Sequence, residues 1–179
     1  MPTLRTGLTA IAAALLASVA TVAAAQSSVS AAQPAPIPGR GITTLHTNVD
    51  LPPGVWTDTP LEVNLPRPGT YELDADVRGR LQGVPPLNTY ISARLWNVTS
   101  RAAVPESERL VYQVINENPG NAQAAGNQTA PISELIRVTS PTTIRLQAQD
   151  TNAVGAANIA QVYSDGYGYT ALRYVWIGP

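Results

Sequence analysis

Pro68-Gly69-Thr70-Tyr71-Glu72-Leu73-Asp74-Ala75-Asp76-Val77 is the stretch that decides the fold. From Tyr71 to Val77 apolar and acidic residues alternate without a break, and a period of two sends alternate side chains to opposite faces of a β-strand. Tyr71, Leu73, Ala75 and Val77 form a face that belongs in a core. Glu72, Asp74 and Asp76 form the other face, which Arg78 and Arg80 continue. Pro66-Arg67-Pro68-Gly69, just ahead, is turn chemistry and marks where the strand begins.

The same period recurs on both sides of this stretch. Leu61-Glu62-Val63-Asn64-Leu65 alternates; Ile91, Ala93 and Leu95 alternate with Ser92, Arg94 and Trp96; Ile144, Leu146 and Ala148 alternate with Arg145, Gln147 and Gln149. Residues 169–177 are apolar on both faces, as in a central strand covered on both sides or one that meets another subunit. Leu51-Pro52-Pro53-Gly54, Thr99-Ser100, Ser140-Pro141 and Ser164-Asp165-Gly166 punctuate the runs. No segment has a helical period. Strands are expected at 42–49, 55–57, 61–65, 69–81, 89–97, 110–115, 128–138, 142–149, 158–163 and 169–177. Ten short strands separated by Gly/Pro-rich turns predict an all-β, antiparallel two-sheet jelly-roll sandwich over residues 41–179. The stretches 116–126 and 151–157, rich in Asn and Ala, are expected to be loops, the first long enough to be mobile or functional.

The N-terminus carries a different signal. Arg5 precedes an uncharged run from Leu8 to Ala25 that ends in Ala23-Ala24-Ala25, the order of a secretory signal peptide spanning residues 1–25. The run is Ala-rich and at the lower limit for spanning a bilayer, which favours cleavage over anchoring. Residues 26–40, with Pro34, Pro36 and Pro38, read as an extended Pro/Ser-rich linker. The expected destination is outside the cell, with no membrane insertion after cleavage. All eleven basic residues are Arg, and loss of Arg5 leaves ten of them against twelve acids, a net charge of −2. No basic stripe exists for nucleic acid. With no Cys and one His, the thiolate and imidazole ligands of a zinc site are lacking, no thiol nucleophile is present, and no cofactor is implied. Asn97-Val98-Thr99 and Asn127-Gln128-Thr129 match the N-glycosylation triplet. In a bacterial protein, which the Arg-only, Ala/Pro/Gly-rich composition suggests, they read as polar turns.

The order of these elements resembles the C1q/TNF-like jelly roll. The resemblance lies in Pro68 to Val77 as the opening of a central strand and in Ile91 to Asn97 as the strand that follows. Thr142 to Ala148 is similar to a late apolar strand, and Gly168 to Leu172 to an aromatic-bearing last strand. The chain departs from the family in having no collagen-like stalk and no Phe. The resemblance implies a compact homotrimer that binds protein or other surface ligands through its loops and outer face, without catalysis.

Three groups of side chains are candidates for chemistry. His46 is the only histidine; no G-x-S-x-G elbow accompanies it, and no Lys is present to form a Ser-Lys dyad. No catalytic residue is assigned. Glu72, Asp74 and Asp76 share one strand face, with Cα atoms about 6.6–6.8 Å apart for each pair of residues, so neighbouring carboxylates are candidates for calcium. Their spacing also suits a glycosidase pair, but an open strand face offers neither a cleft nor a raised pKa. The plainer reading is a solvated face paired with Arg94, Arg137 and Arg145. Tyr163, Tyr167, Tyr169, Tyr174 and Trp176 gather near the C-terminus around Asp165, Gly166 and Gly168. Tyr163, Asp165, Tyr167 and Tyr169 are the candidate ligand-binding residues, for a protein or a glycan, with Tyr167 in its Gly-flanked loop the most exposed. Tyr174 and Trp176 are expected to pack.

Overall fold

The computed structural model describes residues 39–179. The expected signal peptide, and the expected linker up to residue 38, lie outside the described residues. Eleven strands follow in order: β1 (Arg40–Thr44), β2 (Val49–Asp50), β3 (Thr57–Leu65), β4 (Gly69–Gly83), β5 (Leu87–Asn97), β6 (Ala102–Ala103), β7 (Arg109–Asn116), β8 (Ala124–Val138), β9 (Thr142–Val154), β10 (Ala157–Val162) and β11 (Ala171–Gly178). Among the described residues there is no helix.

The first sheet sets β1, β11 and β4 side by side, with β8 along one edge of β4 and β10 then β2 beyond the other; the second runs β3, β9, β5, with β7 and β6 both on β5. The antiparallel pairs β5–β7, β4–β8, β3–β9 and β1–β11 are nested in sequence, each enclosing the one before, and successive pairs alternate between sheets. This is a hairpin folded over and wound on itself, the jelly roll. The alternation read from the sequence supplies its core. Tyr71, Leu73, Ala75, Val77 and Leu81 of β4 are buried against Ile91, Ala93 and Leu95 of β5 and Ile144, Leu146 and Ala148 of β9.

Two local devices hold the deciding strand. The Tyr71 hydroxyl donates to the Arg67 carbonyl at 2.8 Å and accepts from the Arg67 N–H at 3.3 Å, so a core side chain also fixes the preceding turn. Gly69 has φ +139, and a Cβ there would meet the Trp176 indole and the Gly178 carbonyl. A side chain at that point would separate β4 from the end of β11.

Several boundaries depart from the sequence reading. The expected strand 42–49 is two strands: β1 pairs with β11, the chain turns through His46, Thr47 and Asn48, and β2 pairs with β10. Of the expected strand 55–57 only Thr57 is in a strand; it is continuous with 61–65 as β3 across Pro60. Proline has no N–H, and the register with β9 shifts between Asp58 and Glu62. Thr59 Oγ1 bridges the irregularity, donating to the Leu146 carbonyl at 2.8 Å and accepting from Leu61 N–H at 3.2 Å. The stretch 151–157, expected as a loop, is mostly strand. β9 runs to Val154, and Gly155, at φ +65, turns the chain into β10. The long loop at 116–126 is shortened because β8 begins at Ala124. β11 is flanked by β1 and β4, as a central strand should be, yet its outer face is not covered: Val175 and Ile177 are exposed.

Candidate functional site

β4 is longer than either strand beside its second edge. It pairs with β11 through Thr70–Asp76 and with β10 through Gly79–Gly83. Between these two pairings, residues 163–170 leave the sheet as a loop that closes over Arg78. The backbone of Arg78 still finds partners there: its N–H donates to Thr170 Oγ1 and its carbonyl accepts from Tyr163 N–H, both at 3.0 Å.

The Arg78 guanidinium organises the loop from beneath. Nη1 donates to Asp165 Oδ1 at 2.7 Å and to the Gly168 carbonyl, and Nη2 donates to the Tyr163 hydroxyl at 3.0 Å. Above it, Asp165 and Gly168 exchange backbone hydrogen bonds of 3.0 and 3.1 Å across the tip Gly166-Tyr167, and Tyr167 N–H donates to Asp165 Oδ1 at 2.9 Å. Bonding to Arg78, reinforced by the Tyr167 N–H, holds the Asp165 carboxyl below the usual carboxylate range. The same contact raises the Arg78 guanidinium.

The four predicted ligand-binding residues divide. Tyr163 is 2% exposed, its ring covered by the guanidinium carbons of Arg78 at 4.4 Å and Arg80 at 4.2 Å; it serves as packing for the clasp rather than as a contact surface. Asp165 is the anchor of the turn. Tyr167 at the tip is 97% exposed, and Tyr169 is half exposed beside His46, the ring centroids 5.3 Å apart. The structure thus brings His46 to the aromatic loop, a proximity that 120 or so intervening residues conceal from sequence reading. Tyr174 is buried edge-on to Tyr71, and Trp176 lies under Arg67 at 3.7 Å, both packed as expected.

Glu72, Asp74 and Asp76 point outward in a column along β4 and do not converge. Asp76 pairs with Arg173 and Asp74 accepts from Ser133 Oγ at 2.6 Å. Among the described residues no group of three or more His, Asp or Glu side chains is placed to hold a metal ion. The pairing expected with Arg94 and Arg145 does not form, because both arginines lie on the second sheet. Arg145 there binds Asp58 at 2.7 Å and Glu62 at 2.9 Å. The neighbour that the acids do have, Arg173, comes from β11, whose pairing with β4 spans about 100 residues of chain.

One surface feature was missed in the sequence. On the outer face of the second sheet Arg94 lies between two indoles, 3.9 Å from the centre of Trp56 and 5.0 Å from that of Trp96. The available signal was parity: Trp96 stands among Ser92 and Arg94 on the polar face of β5, and Trp56 shares its parity with Asp58 and Glu62.

No family model matches the chain, and no curated protein matches it. Solved structures with similar coordinates include the VP2 subviral particle of infectious bursal disease virus, at 13% identity and a TM-score of 0.42 over 78% of this chain and 33% of that one. They also include the structure of the Gx strain of that virus, at 15% identity and a TM-score of 0.40 over 78% of this chain and 32% of that one. The chain therefore spans about a third of the length of the viral chains it matches.

Proposed function

We propose that the chain is a secreted, non-catalytic assembly and binding module. It self-associates as a trimer through the outer face of the first sheet and leaves its loops free for a protein or surface ligand. The observation that carries this reading is a group of exposed apolar side chains on an outward face that also carries both signs of charge. Ile42 of β1 is 64% exposed, and Val175 and Ile177 of β11 are 42% and 56% exposed. In register, Arg40, Val175 and Glu72 form one row across the strands, and Ile42, Arg173 and Asp74 form the next. Apolar side chains interleaved with both signs of charge suit a self-complementary contact, in which each copy offers what another needs. The apolar run that ends in Ala23-Ala24-Ala25 supports export.

Light scattering after size exclusion of protein recovered from the medium tests this. A trimer that Val175→Glu with Ile177→Glu converts to folded monomer is the expected result. A strictly monomeric wild type at micromolar concentration overturns it.

A second reading, glycan binding by the loop over Arg78, is favoured by Tyr167. A ring almost wholly in solvent on a turn fixed by its own hydrogen bonds is a preformed contact of low entropic cost. It predicts retention on an insoluble glycan that Tyr167→Ala abolishes.

A further inference from the structure

We infer that the outer face of the second sheet is a separate binding site, and that its ligand is an uncharged polysaccharide chain lying across β3, β9 and β5. The inference shares its ligand class with the second reading above but assigns the work to different residues on the other sheet.

The face is built in rows. Asp58, Gln147 and Arg94 are opposite one another on β3, β9 and β5, and they are bonded in series: Gln147 Nε2 donates to Asp58 Oδ1 at 2.7 Å, and Arg94 Nε donates to Gln147 Oε1 at 2.9 Å. In the next row Arg145 lies between Glu62 and Trp96 and bonds Glu62. On the other side of the bonded row, Gln149 faces Ser92, and beyond them Thr151 faces Tyr90, which faces Gln113. Trp56, two positions before Asp58, carries the aromatic edge of the face back over Arg94.

Three properties point to the ligand. First, the site is pre-ordered: the indoles of Trp56 and Trp96 are held by a guanidinium that is itself fixed through Gln147 to Asp58. Ordering the aromatic groups then costs little on binding. Second, its charges are balanced within the network. Arg145 pairs with Asp58 and Glu62, and Arg94 bonds the neutral Gln147 within the field of Glu108, so the face has no excess of cations to draw an acidic polymer. Third, what remains for a ligand is neutral. Among the described residues the side chains of Gln149, Ser92, Tyr90 and Thr151 make no hydrogen bond within the protein. They leave amide and hydroxyl donors and acceptors beside aromatic rings. A sugar unit presents that combination in return, with hydroxyls at its rim and an apolar C–H face for the ring. A protein partner would favour a drier, more apolar face, such as the one on the first sheet.

Affinity gel electrophoresis tests the inference, with the full protein run through gels containing hydroxyethyl cellulose, xylan, galactomannan or laminarin, and polygalacturonate as the charged control. An uncharged polymer is expected to retard the wild type. Trp56→Ala and Gln149→Ala should each weaken that retardation about ten-fold, the scale of a central contact, while Tyr167→Ala leaves it unchanged. Should Trp56→Ala fail to fold, Gln149→Ala and Tyr90→Ala, which remove no core side chain, decide the matter. Loss of retardation in Tyr167→Ala alone overturns this site and upholds the loop reading. Retardation by polygalacturonate alone, or by no polymer, overturns it as well.

Discussion

Arg78 and Arg94 both lie on aromatic rings of an outward sheet face, yet they stand in opposite electrostatic situations. Arg78 touches a carboxylate directly, and the hydrogen bond it donates to Asp165 raises its affinity for the proton. Arg94 touches no carboxylate. Burial is the main influence on it and lowers that affinity, opposed by the charge of Glu108, which it does not touch; its own hydrogen bond goes to the neutral amide of Gln147. The difference shows what each cation does. Arg78 gathers a loop that would otherwise have no place in the sheet. Arg94 spaces two aromatic side chains on a sheet that is already complete without it.

Replacing each arginine by methionine, which keeps an apolar stem of similar length, breaks or sharpens this contrast. Arg78→Met removes the guanidinium's bonds to the Asp165 carboxylate, the Gly168 carbonyl and the Tyr163 hydroxyl, and the loop loses its anchor. A loss of about 2–3 kcal/mol is expected, the scale of hydrogen bonds to a charged group. Arg94→Met also removes the cost of desolvating a cation, which offsets the lost stacking, and a change within about 1 kcal/mol is expected. Urea unfolding of the two variants measures both. Equal losses would mean that the loop does not depend on its ion pair.

The acid side of the same contrast is read by pH. Asp165 has its folded pKa depressed by Arg78, so its contribution to stability is present above the unfolded value of about 3.9 and is lost as the pH falls through the lower folded value. Asp150 behaves in the opposite sense. Burial raises its pKa, even though Thr89 Oγ1 and Asn152 Nδ2 each donate to it at 2.9 Å. Its contribution is full below the unfolded value and is lost as the pH rises through the raised folded value. Urea midpoints measured upward from about pH 4 should therefore fall less steeply in Asp150→Asn than in the wild type. When the series is carried below that pH, through the depressed folded value of Asp165, the midpoint of Asp165→Asn should converge on that of the wild type. Parallel curves for Asp150→Asn and the wild type would show that the buried carboxyl does not titrate as its surroundings require.

How much of this was legible in the sequence follows from the range of each interaction. The core face of β4 was readable from Tyr71 to Val77, because alternation is local. So was the exposure of Tyr167, set by glycines on either side of it. The clasp was not, since Arg78 meets Asp165 only after β10 and β11 dock on the same edge of β4. Nor was the partner of Asp76, which a jelly roll draws from its last strand. Parity could say that Arg94 and Trp96 face outward, but not that Pro60 and the shift it imposes leave β3 paired so that Trp56 lies over Arg94. The split of 42–49 into two strands was hidden for a related reason: period-two patterning continues across a change of partner strand.

The smallest effect is expected at the residue with the greatest exposure. Tyr167→Ala removes a ring that touches solvent on nearly every side, while the turn beneath it is held by backbone bonds between Asp165 and Gly168 and by Arg78. The Tyr167 N–H bond to Asp165 is also kept, since alanine supplies the same donor. Stability should stay within about 0.5 kcal/mol of the wild type, as for an ordinary surface position. The Asp165 carboxyl should also keep its depressed pKa, measurable by carboxyl NMR titration. A larger loss, or a rise in that pKa, would mean that the ring helps to hold the turn. The loop would then be a structural closure of the gap between β10 and β11, and the case for a preformed contact at its tip would fall with it.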